Sequence, residues 1–362
     1  MKKTIYANES ATIYMIALLV GNVLATILAT TIRGLGKFAG MDIMSWVTYA
    51  LIQCMFIASS MIYAAARKIN IPVVTRMNRG LRPVQYVLLP FVAIATILVF
   101  LPIANAWNAF LGVIHYHGSG VAMPAGGEVW AYFFALFIMA VMPAFGEEIL
   151  MRGFVLHGTS TRSVWFGILV SAALFSLMHA SPLQLVHQFG LGVVLAIVVA
   201  STGSIWGAVL IHFLNNFISL TLTIYIPQVD ALYVSLGYWN WLTGFASVIV
   251  GLFLLVVLLY LFYRAGKSKE ERKFTVVSNG IEYEEFTIYA QSEEQKKTNV
   301  FKDTFRFVGS LFTKGGWQTV TRSLTRSNGI ETTGKGQNVL GVWLAVGVVA
   351  IYWVIAFIQG MI

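Results

Sequence analysis

The sequence predicts an all-α polytopic membrane protein with about nine transmembrane helices and a polar cytoplasmic insert before the last helix. Apolar residues make up 58% of the 362 residues and charged residues only 11%. A water-soluble domain does not need this balance to cover its surface. Apolar runs of about 20 residues, which is the length that spans a bilayer, recur along nearly the whole chain. One polar stretch interrupts them near the carboxyl end.

The candidate spans differ in length and continuity. They lie near residues 11 to 31, 44 to 65, 85 to 106, 129 to 146, 163 to 179, 184 to 201, 204 to 226, 242 to 263 and 339 to 361. We expect the first run to be a retained helix, because it is long enough to span and has no small-residue cleavage site. The fifth and sixth runs are short, and His179, Pro182 and His187 interrupt them, so these two helices should be broken, tilted or buried. Cys54 is the single cysteine, which excludes an internal disulfide and a cysteine-built zinc site.

The net charge of +9 reflects membrane orientation rather than nucleic-acid binding. The loop from Arg67 to Arg82 holds five basic residues, whereas residues 107–128 and 227–241 contain no Lys or Arg. The positive-inside rule therefore places the amino terminus, and Arg152 with Arg162, near the cytoplasm. We expect a multi-pass protein of the cell membrane whose partners are the lipid bilayer and a membrane-associated substrate, with no nucleic acid.

Composition divides the chain into three parts. Residues 1–263 are predicted to form an eight-helix transmembrane domain, residues 264–338 a basic cytoplasmic insert, and residues 339–362 the final transmembrane helix. Within the insert, Asn279 and Gly280 separate two alternating segments, which predicts a type I′ β-hairpin. Apolar residues at helical spacing then predict an interfacial amphipathic helix, with a disordered linker as the alternative. These residues are Phe301, Phe305, Val308, Leu311 and Phe312, and they stand beside Lys302, Arg306 and Lys314.

Two adjacent carboxylates, Glu147 and Glu148, end an apolar run, where charged residues are expensive and are functional candidates. Glu148 and Arg152 are four residues apart, so a continuing helix stacks them as an ion pair. Glu147 then points about 100° away from Glu148 and is free to face a cavity and act as a base. In the alternative interpretation, the three residues only anchor a helix end at the interface.

Two histidines lie deep in later apolar runs. Phe175 and His179 are four residues apart, as are His212 and Asn216, so each pair shares one helix face. An imidazole exchanges protons near neutral pH, and an amide donates to an oxyanion without carrying charge. These groups predict a hydrolase in which Glu147 and His179 deprotonate a water while His212 and Asn216 stabilise the tetrahedral oxygen.

Together these motifs resemble the CAAX-protease and bacteriocin-processing family of intramembrane proteases, relatives of the type II CAAX prenyl endopeptidases. That family has a double glutamate followed by an arginine, then F-x-x-x-H, then H-x-x-x-N. The corresponding residues are Glu147, Glu148, Arg152, Phe175, His179, His212 and Asn216. The resemblance covers about residues 125–225, and the insert and last span look like additions.

The resemblance implies an intramembrane endopeptidase that acts on membrane-associated proteins or peptides. It implies that Glu147 and His179 activate water and that His212 and Asn216 assist the oxyanion. The site would be supported by Glu148, Arg152 and Phe175. Members of the family are often classed as metalloendopeptidases, and a zinc ion held by Glu147, His179 and His212 is an alternative to metal-independent catalysis, which we prefer.

Two other classes of function use the same residues. A non-proteolytic scaffold or a bacteriocin-immunity protein would keep the fold for binding alone. A proton-coupled transporter would use intramembrane carboxylates and histidines to carry protons. The transporter is disfavoured, because we find no matching pair of interrupted half-helices in two halves of the sequence.

Overall fold

The computed structural model describes residues 4–32, 34–118, 124, 129–226, 239–266, 271–278, 281–289, 299–330, 332–333 and 337–362. Within these residues the predicted all-α multi-pass fold is confirmed. Eight helices are long and apolar enough to cross a membrane, and Val164–Leu177 is a shorter apolar helix between two of them. The protein is therefore a multi-pass membrane protein.

Twelve helices and two short antiparallel sheets make up the described chain. The helices are α1 Ala7–Thr31, α2 Ile43–Ala66, α3 Ile71–Val74, α4 Pro83–Val113, α5 Val129–Ser160, α6 Val164–Leu177, α7 Leu185–Thr202, α8 Trp206–Tyr225, α9 Trp239–Gly266, α10 Val300–Ser310, α11 Lys314–Asn328 and α12 Leu340–Met361. Strand β1, Lys37–Phe38, pairs with β2, Met41–Asp42, and β3, Glu271–Ser278, pairs with β4, Ile281–Tyr289. Asn279 and Gly280, the predicted turn, lie outside the described residues.

Local chemistry sets several helix ends. The Asp42 carboxylate accepts from the backbone N–H of Met44 at 2.9 Å and begins α2. The Ser163 hydroxyl accepts from the N–H of Phe166 at 3.1 Å and begins α6. Gly203 ends α7 with a left-handed φ of 66°, which glycine adopts without strain. The expected interruption between the fifth and sixth runs is present, since α6 and α7 are separate helices.

The amino terminus and the basic loop at 67–82 lie on one face of the bundle. Glu9, near the start of α1, forms an ion pair with Arg67 at 3.5 Å. In the same region the Ser204 hydroxyl, between α7 and α8, donates to the backbone carbonyl of Arg79 at 2.6 Å. These contacts bring the basic loop, the start of α1 and the end of α7 to a common end, which we call the basic face.

Further contacts place the other loops. The N–H of Thr333 donates to the carbonyl of Thr161 at 2.7 Å, so the end of α5 and the segment before α12 also lie at the basic face. At the other end of α12, the carbonyl of Gly360 accepts from the N–H of His117, after α4, at 2.6 Å. The described part of the lysine- and arginine-free loop after α4 therefore lies on the opposite face.

Helix α5 corrects one expectation about the glutamates. We expected Glu147 and Glu148 to end a span at a basic loop, but α5 continues to Ser160, about 20 Å further along its axis from Glu147. Two π-helical turns, Phe137–Val141 and Ile149–Val155, lie within it. The Arg152 side chain is fully buried inside the helix bundle. It is therefore not one of the loop residues that the positive-inside rule counts. The drop in hydropathy at Glu147 and Glu148 comes from charged residues inside the bundle, where Glu148 pairs with Arg152. The helix does not end there.

Candidate active site

Glu147 occupies the centre of the site, between the two π-helical turns of α5. Its Oε1 accepts a 2.8 Å hydrogen bond from Nε2 of Gln53 on α2. Its Oε2 lies 3.9 Å from Nε2 of His179 and 3.9 Å from Nε2 of His212. A Cβ on Gly146 would lie 2.6 Å from Oε1 of Gln53, so the neighbouring glycine lets α2 approach closely.

His179 stands in the turn after α6, and its Nδ1 lies 2.8 Å from the carbonyl oxygen of Phe175. A carbonyl only accepts, so this geometry assigns the proton to Nδ1 and leaves a lone pair on Nε2 of the neutral ring. That lone pair faces Glu147. Ala180, the next residue, has a φ of 47°, a strained conformation of the type found at functional sites. The His179 side chain is 20% exposed, so the site is open to the surroundings of the bundle beside it.

His212 on α8 is tied to the second carboxylate. Its Nδ1 lies 2.9 Å from Oε1 of Glu148, and Nη1 of Arg152 lies 2.7 Å from the same oxygen. The predicted ion pair between Glu148 and Arg152 is present, and both side chains are fully buried. Removing one partner of such a pair leaves an uncompensated buried charge, which is strongly destabilising. Glu148 therefore joins α5 to α8 and orients the imidazole of His212.

Phe175 on α6 fills the space among the charged groups. The Cζ of Arg152 lies 4.4 Å from the centre of its ring, within cation–π range. Its ring meets those of His179 and His212 edge-on, with centroids 5.2 and 5.7 Å apart. Arg152 also donates from Nη2 to the carbonyl of Gly192 on α7 at 3.2 Å. Phe175 thus sets the separation between the two imidazoles.

Asn216 lies one turn after His212 on α8. Its Nδ2 donates to the carbonyl of Met139 at 3.3 Å, within the first π-helical turn of α5. Its Oδ1 accepts from Nδ2 of Asn215 at 3.4 Å, which fixes the orientation of the amide. The amide carries two N–H donors, so one remains for a ligand.

Six of the seven residues selected from the sequence meet in one contact network within the described residues. Asn216 lies one turn along α8 from His212 and contacts Met139 and Asn215. The catalytic roles of all seven remain predictions. Sequence reasoning missed Gln53, whose only signal was a lone glutamine within an apolar run. It also assigned no role to His187, which lies close enough to His179 and His212 to interact electrostatically with both.

The spacing of the three candidate metal ligands argues against a tetrahedral zinc ion. Two imidazoles and a carboxylate are a suitable donor set by kind, and Oε2 of Glu147 has no hydrogen-bond partner among the described residues. Ligands at zinc distances stand about 3.3 Å apart in a tetrahedron, yet Oε2 of Glu147 lies 3.9 Å from Nε2 of each histidine. The described chain contains no group of three His, Cys, Asp or Glu side chains suited to a metal ion.

The same spacing fits a water molecule. Consider a water at hydrogen-bond distances of about 2.5 to 2.8 Å from both Oε2 of Glu147 and Nε2 of His179. The angle at its oxygen between these two acceptors would be about 90 to 100°. This is close to the angle between its own two O–H bonds. The pair can therefore accept both protons of one water and leave its oxygen lone pairs directed away.

Comparison with known proteins agrees with the motifs. Residues 129–218 match the model of a family described as type II CAAX prenyl endopeptidase Rce1-like. They form an Rce1-like domain. The predicted resemblance is confirmed over this quarter of the chain, so the protein carries an intramembrane domain of the CAAX protease type. No curated protein and no solved structure matches the chain.

All seven motif residues fall inside the Rce1-like domain, whereas Gln53 comes from a helix outside it. The carboxylate of Glu147 is thus held by a group that the family match does not cover. Helix α2 is a part of this site and not only a support for the membrane domain.

We predict that Gln53→Leu lowers kcat for peptide cleavage about ten- to a hundredfold, because one hydrogen bond to a charged group contributes about 1.5 to 3 kcal/mol. The KM should stay near that of the parent, because we expect the amide to orient Glu147 and not to bind substrate. Steady-state kinetics on the purified protein measure both constants. Gln359→Leu, an exposed change on α12, is the control. A raised KM with an unchanged kcat would contradict a positioning role for Gln53.

Proposed function

We propose that the protein is an intramembrane endopeptidase that hydrolyses a peptide bond in a membrane-associated protein or peptide. Glu147 and His179 activate the attacking water, and His212 with Asn216 stabilise the oxyanion. The observation that carries this proposal is the 3.9 Å separation between Oε2 of Glu147 and Nε2 of His179, two acceptors that one water can bridge. The Rce1-like domain gives independent support for the class of reaction.

Water activation uses the two acceptors together. The water donates one hydrogen to Oε2 of Glu147 and the other to the unprotonated Nε2 of His179. Because Gln53 occupies Oε1 of Glu147, the carboxylate keeps Oε2 directed at the water. As the water oxygen bonds to the scissile carbonyl carbon, its proton passes to Glu147. General base catalysis of this kind contributes roughly 10²- to 10⁴-fold.

The oxyanion requires hydrogen-bond donors. The contact between His212 and Glu148 decides when His212 can act as one of them. Its Nδ1 faces the Glu148 carboxylate, so Nδ1 carries a proton. Nε2 can donate only when the ring is an imidazolium. The second N–H of Asn216 completes the pair of donors.

Collapse of the tetrahedral intermediate completes the reaction. The C–N bond breaks, and the leaving nitrogen takes the proton that Glu147 received from water. The products are a carboxylic acid, which then ionises in water, and an amine, and Glu147 returns to its ionised form. The other three motif residues act as positioning groups, because Glu148 and Arg152 hold His212 and Phe175 separates the two imidazoles.

We also propose that the protein lies in the cell membrane with its amino terminus in the cytoplasm. The basic loop 67–82 supports this orientation, because Lys and Arg near span ends favour the cytoplasmic side. The contact between Glu9 and Arg67 places the start of α1 at the same face. A substrate would bring its scissile bond to a site inside the bundle that is open beside His179.

We predict that Glu147→Gln lowers peptide cleavage by about 10²-fold or more, because the amide cannot accept a proton from water. The variant should keep the elution volume and melting temperature of the parent. The matched control is Glu9→Gln, which changes a carboxylate at the basic face away from the site and should keep parental turnover.

The measurement compares membrane peptides in cells that carry the parent or Glu147→Gln, followed by cleavage of an identified substrate with purified protein. Processing of that substrate by Glu147→Gln at the parental rate would show that another group is the base. Proton-driven uptake that depends on Glu147, without any cleavage, would favour a transporter.

A second prediction concerns metal. Exhaustive chelation of the purified protein should leave cleavage unchanged, because the donor spacing fits a water and not a tetrahedral zinc ion. Metal content measured by mass spectrometry is followed in parallel with activity. Loss of cleavage on chelation, with recovery on stoichiometric zinc, would overturn the metal-independent mechanism.

A further inference from the structure

Helices α10 and α11, together called the interfacial hairpin, lie against the ends of the spanning helices at the basic face. The rings of Tyr260 on α9 and Phe307 on α10 stack with centroids 4.3 Å apart. The indole N–H of Trp165, at the start of α6, donates to the hydroxyl of Thr321 on α11 at 2.8 Å. The hairpin is thus fixed to the bundle where those helices leave the membrane.

A cavity of about 580 Å³ lies between the interfacial hairpin and the bundle, away from the carboxylates and imidazoles of the active site. Its walls are mainly apolar and include Ile197 of α7, Leu259 of α9 and Leu324 of α11. Val256, also in the wall, precedes the end of α9 by ten residues, or about 15 Å along the helix. The cavity therefore runs from the basic face into the depth of the acyl chains, and its volume is that of a ligand pocket.

Charge on the interfacial hairpin is strongly one-sided. Its single acidic residue, Asp303, lines the cavity and pairs with Arg264 at 2.7 Å. Its basic residues are Lys302, Arg306, Lys314, Arg322 and Arg326. Arg306 is exposed and also lines the cavity. An apolar cavity with a guanidinium at its wall is complementary to a molecule with a long apolar chain and an anionic head.

Exposed aromatic side chains indicate where that molecule comes from. Phe301, Phe305 and Phe312 are 71, 51 and 89% exposed on the interfacial hairpin, and Trp317 is 48% exposed. Aromatic and basic residues on one amphipathic segment bind it to the surface of an anionic bilayer. The lipids of the surrounding leaflet are therefore at the mouth of the cavity.

We propose that this cavity is a binding site for an anionic phospholipid, with one acyl chain inserted between α9 and α11 and the phosphate beside Arg306. The site is separate from the active site, so binding does not depend on the proposed protease activity.

The test measures which lipids the full-length protein retains. The protein is reconstituted in vesicles of equimolar phosphatidylglycerol and phosphatidylcholine, extracted in detergent, and the bound lipids are counted by mass spectrometry. We expect phosphatidylglycerol to exceed phosphatidylcholine by about fivefold, the factor that one basic residue contributes near a membrane surface. Arg306→Gln should bring this ratio close to one.

Two matched controls make the result specific. Arg322→Gln removes the same charge from an exposed position that does not line the cavity, and should keep the parental ratio. Ser323→Phe places a ring in the cavity and should lower retention of both lipids, whereas Gln318→Phe adds the ring outside it. Glu147→Gln should retain lipid like the parent, which separates this proposal from the proposed protease function.

Several outcomes would overturn the proposal. These are equal retention of the two lipids by the parent, an equal effect of Arg306→Gln and Arg322→Gln, and retention by Ser323→Phe that equals retention by Gln318→Phe. Displacement of the phospholipid by the chain of a lipidated peptide would assign the cavity to a substrate instead. A dimer that covers the cavity in lipid-free protein would assign it to a second copy of the chain.

Discussion

The burial of two adjacent carboxylates inside a membrane helix is the constraint on which the site depends. A charged group in a low-dielectric interior is tolerated only if it is paired and hydrogen-bonded. Glu148 meets this requirement with Arg152 and His212, which share its Oε1. Glu147 meets it only in part, because its Oε1 accepts a hydrogen bond from the neutral amide of Gln53 alone. Oε2 of both carboxylates has no hydrogen-bond partner among the described residues, so the two differ in what binds Oε1. From this unequal pairing we infer that Glu148 has a structural role and that Glu147 is available for catalysis.

Close helix packing follows from this pairing and makes the geometry specific. Three helices and a turn must bring Glu147, His179, His212 and Gln53 within a few ångströms of one another. Gly146 removes the side chain that would keep α2 away. The break between α6 and α7 then places His179 in a turn, where Ala180 takes a strained conformation and the ring faces the carboxylate. Strain of this kind persists where the surrounding structure holds it.

The sequence predicted the fold class, and it selected six residues that contact one another in the structure, for physical reasons. Apolar runs report a membrane directly, and the few polar residues inside them are costly enough to be selected one by one. Spacing of four residues predicted the pair of Glu148 and Arg152, because it is a local property of one helix. Each of these inferences needed only short-range information.

What the sequence could not predict depends on contacts between helices. Hydropathy placed a helix end at Glu147, because it counts charges without knowing that Glu148 and Arg152 neutralise each other within α5. Gln53 is 94 residues away from Glu147 in the chain, and no periodicity links the two. The bond from His212 to Glu148, which sets when that imidazole can donate, is likewise visible only in three dimensions.

A double-mutant cycle tests most directly whether an acid and an imidazole act on one shared water. The kcat/KM of Glu147→Gln, His179→Ala and the double variant would be compared with that of the parent on one substrate. Residues that act as a unit give strongly non-additive losses, so we expect the double variant to be about as slow as either single variant. Losses that multiply would mean that Glu147 and His179 act independently, and would contradict the proposed site.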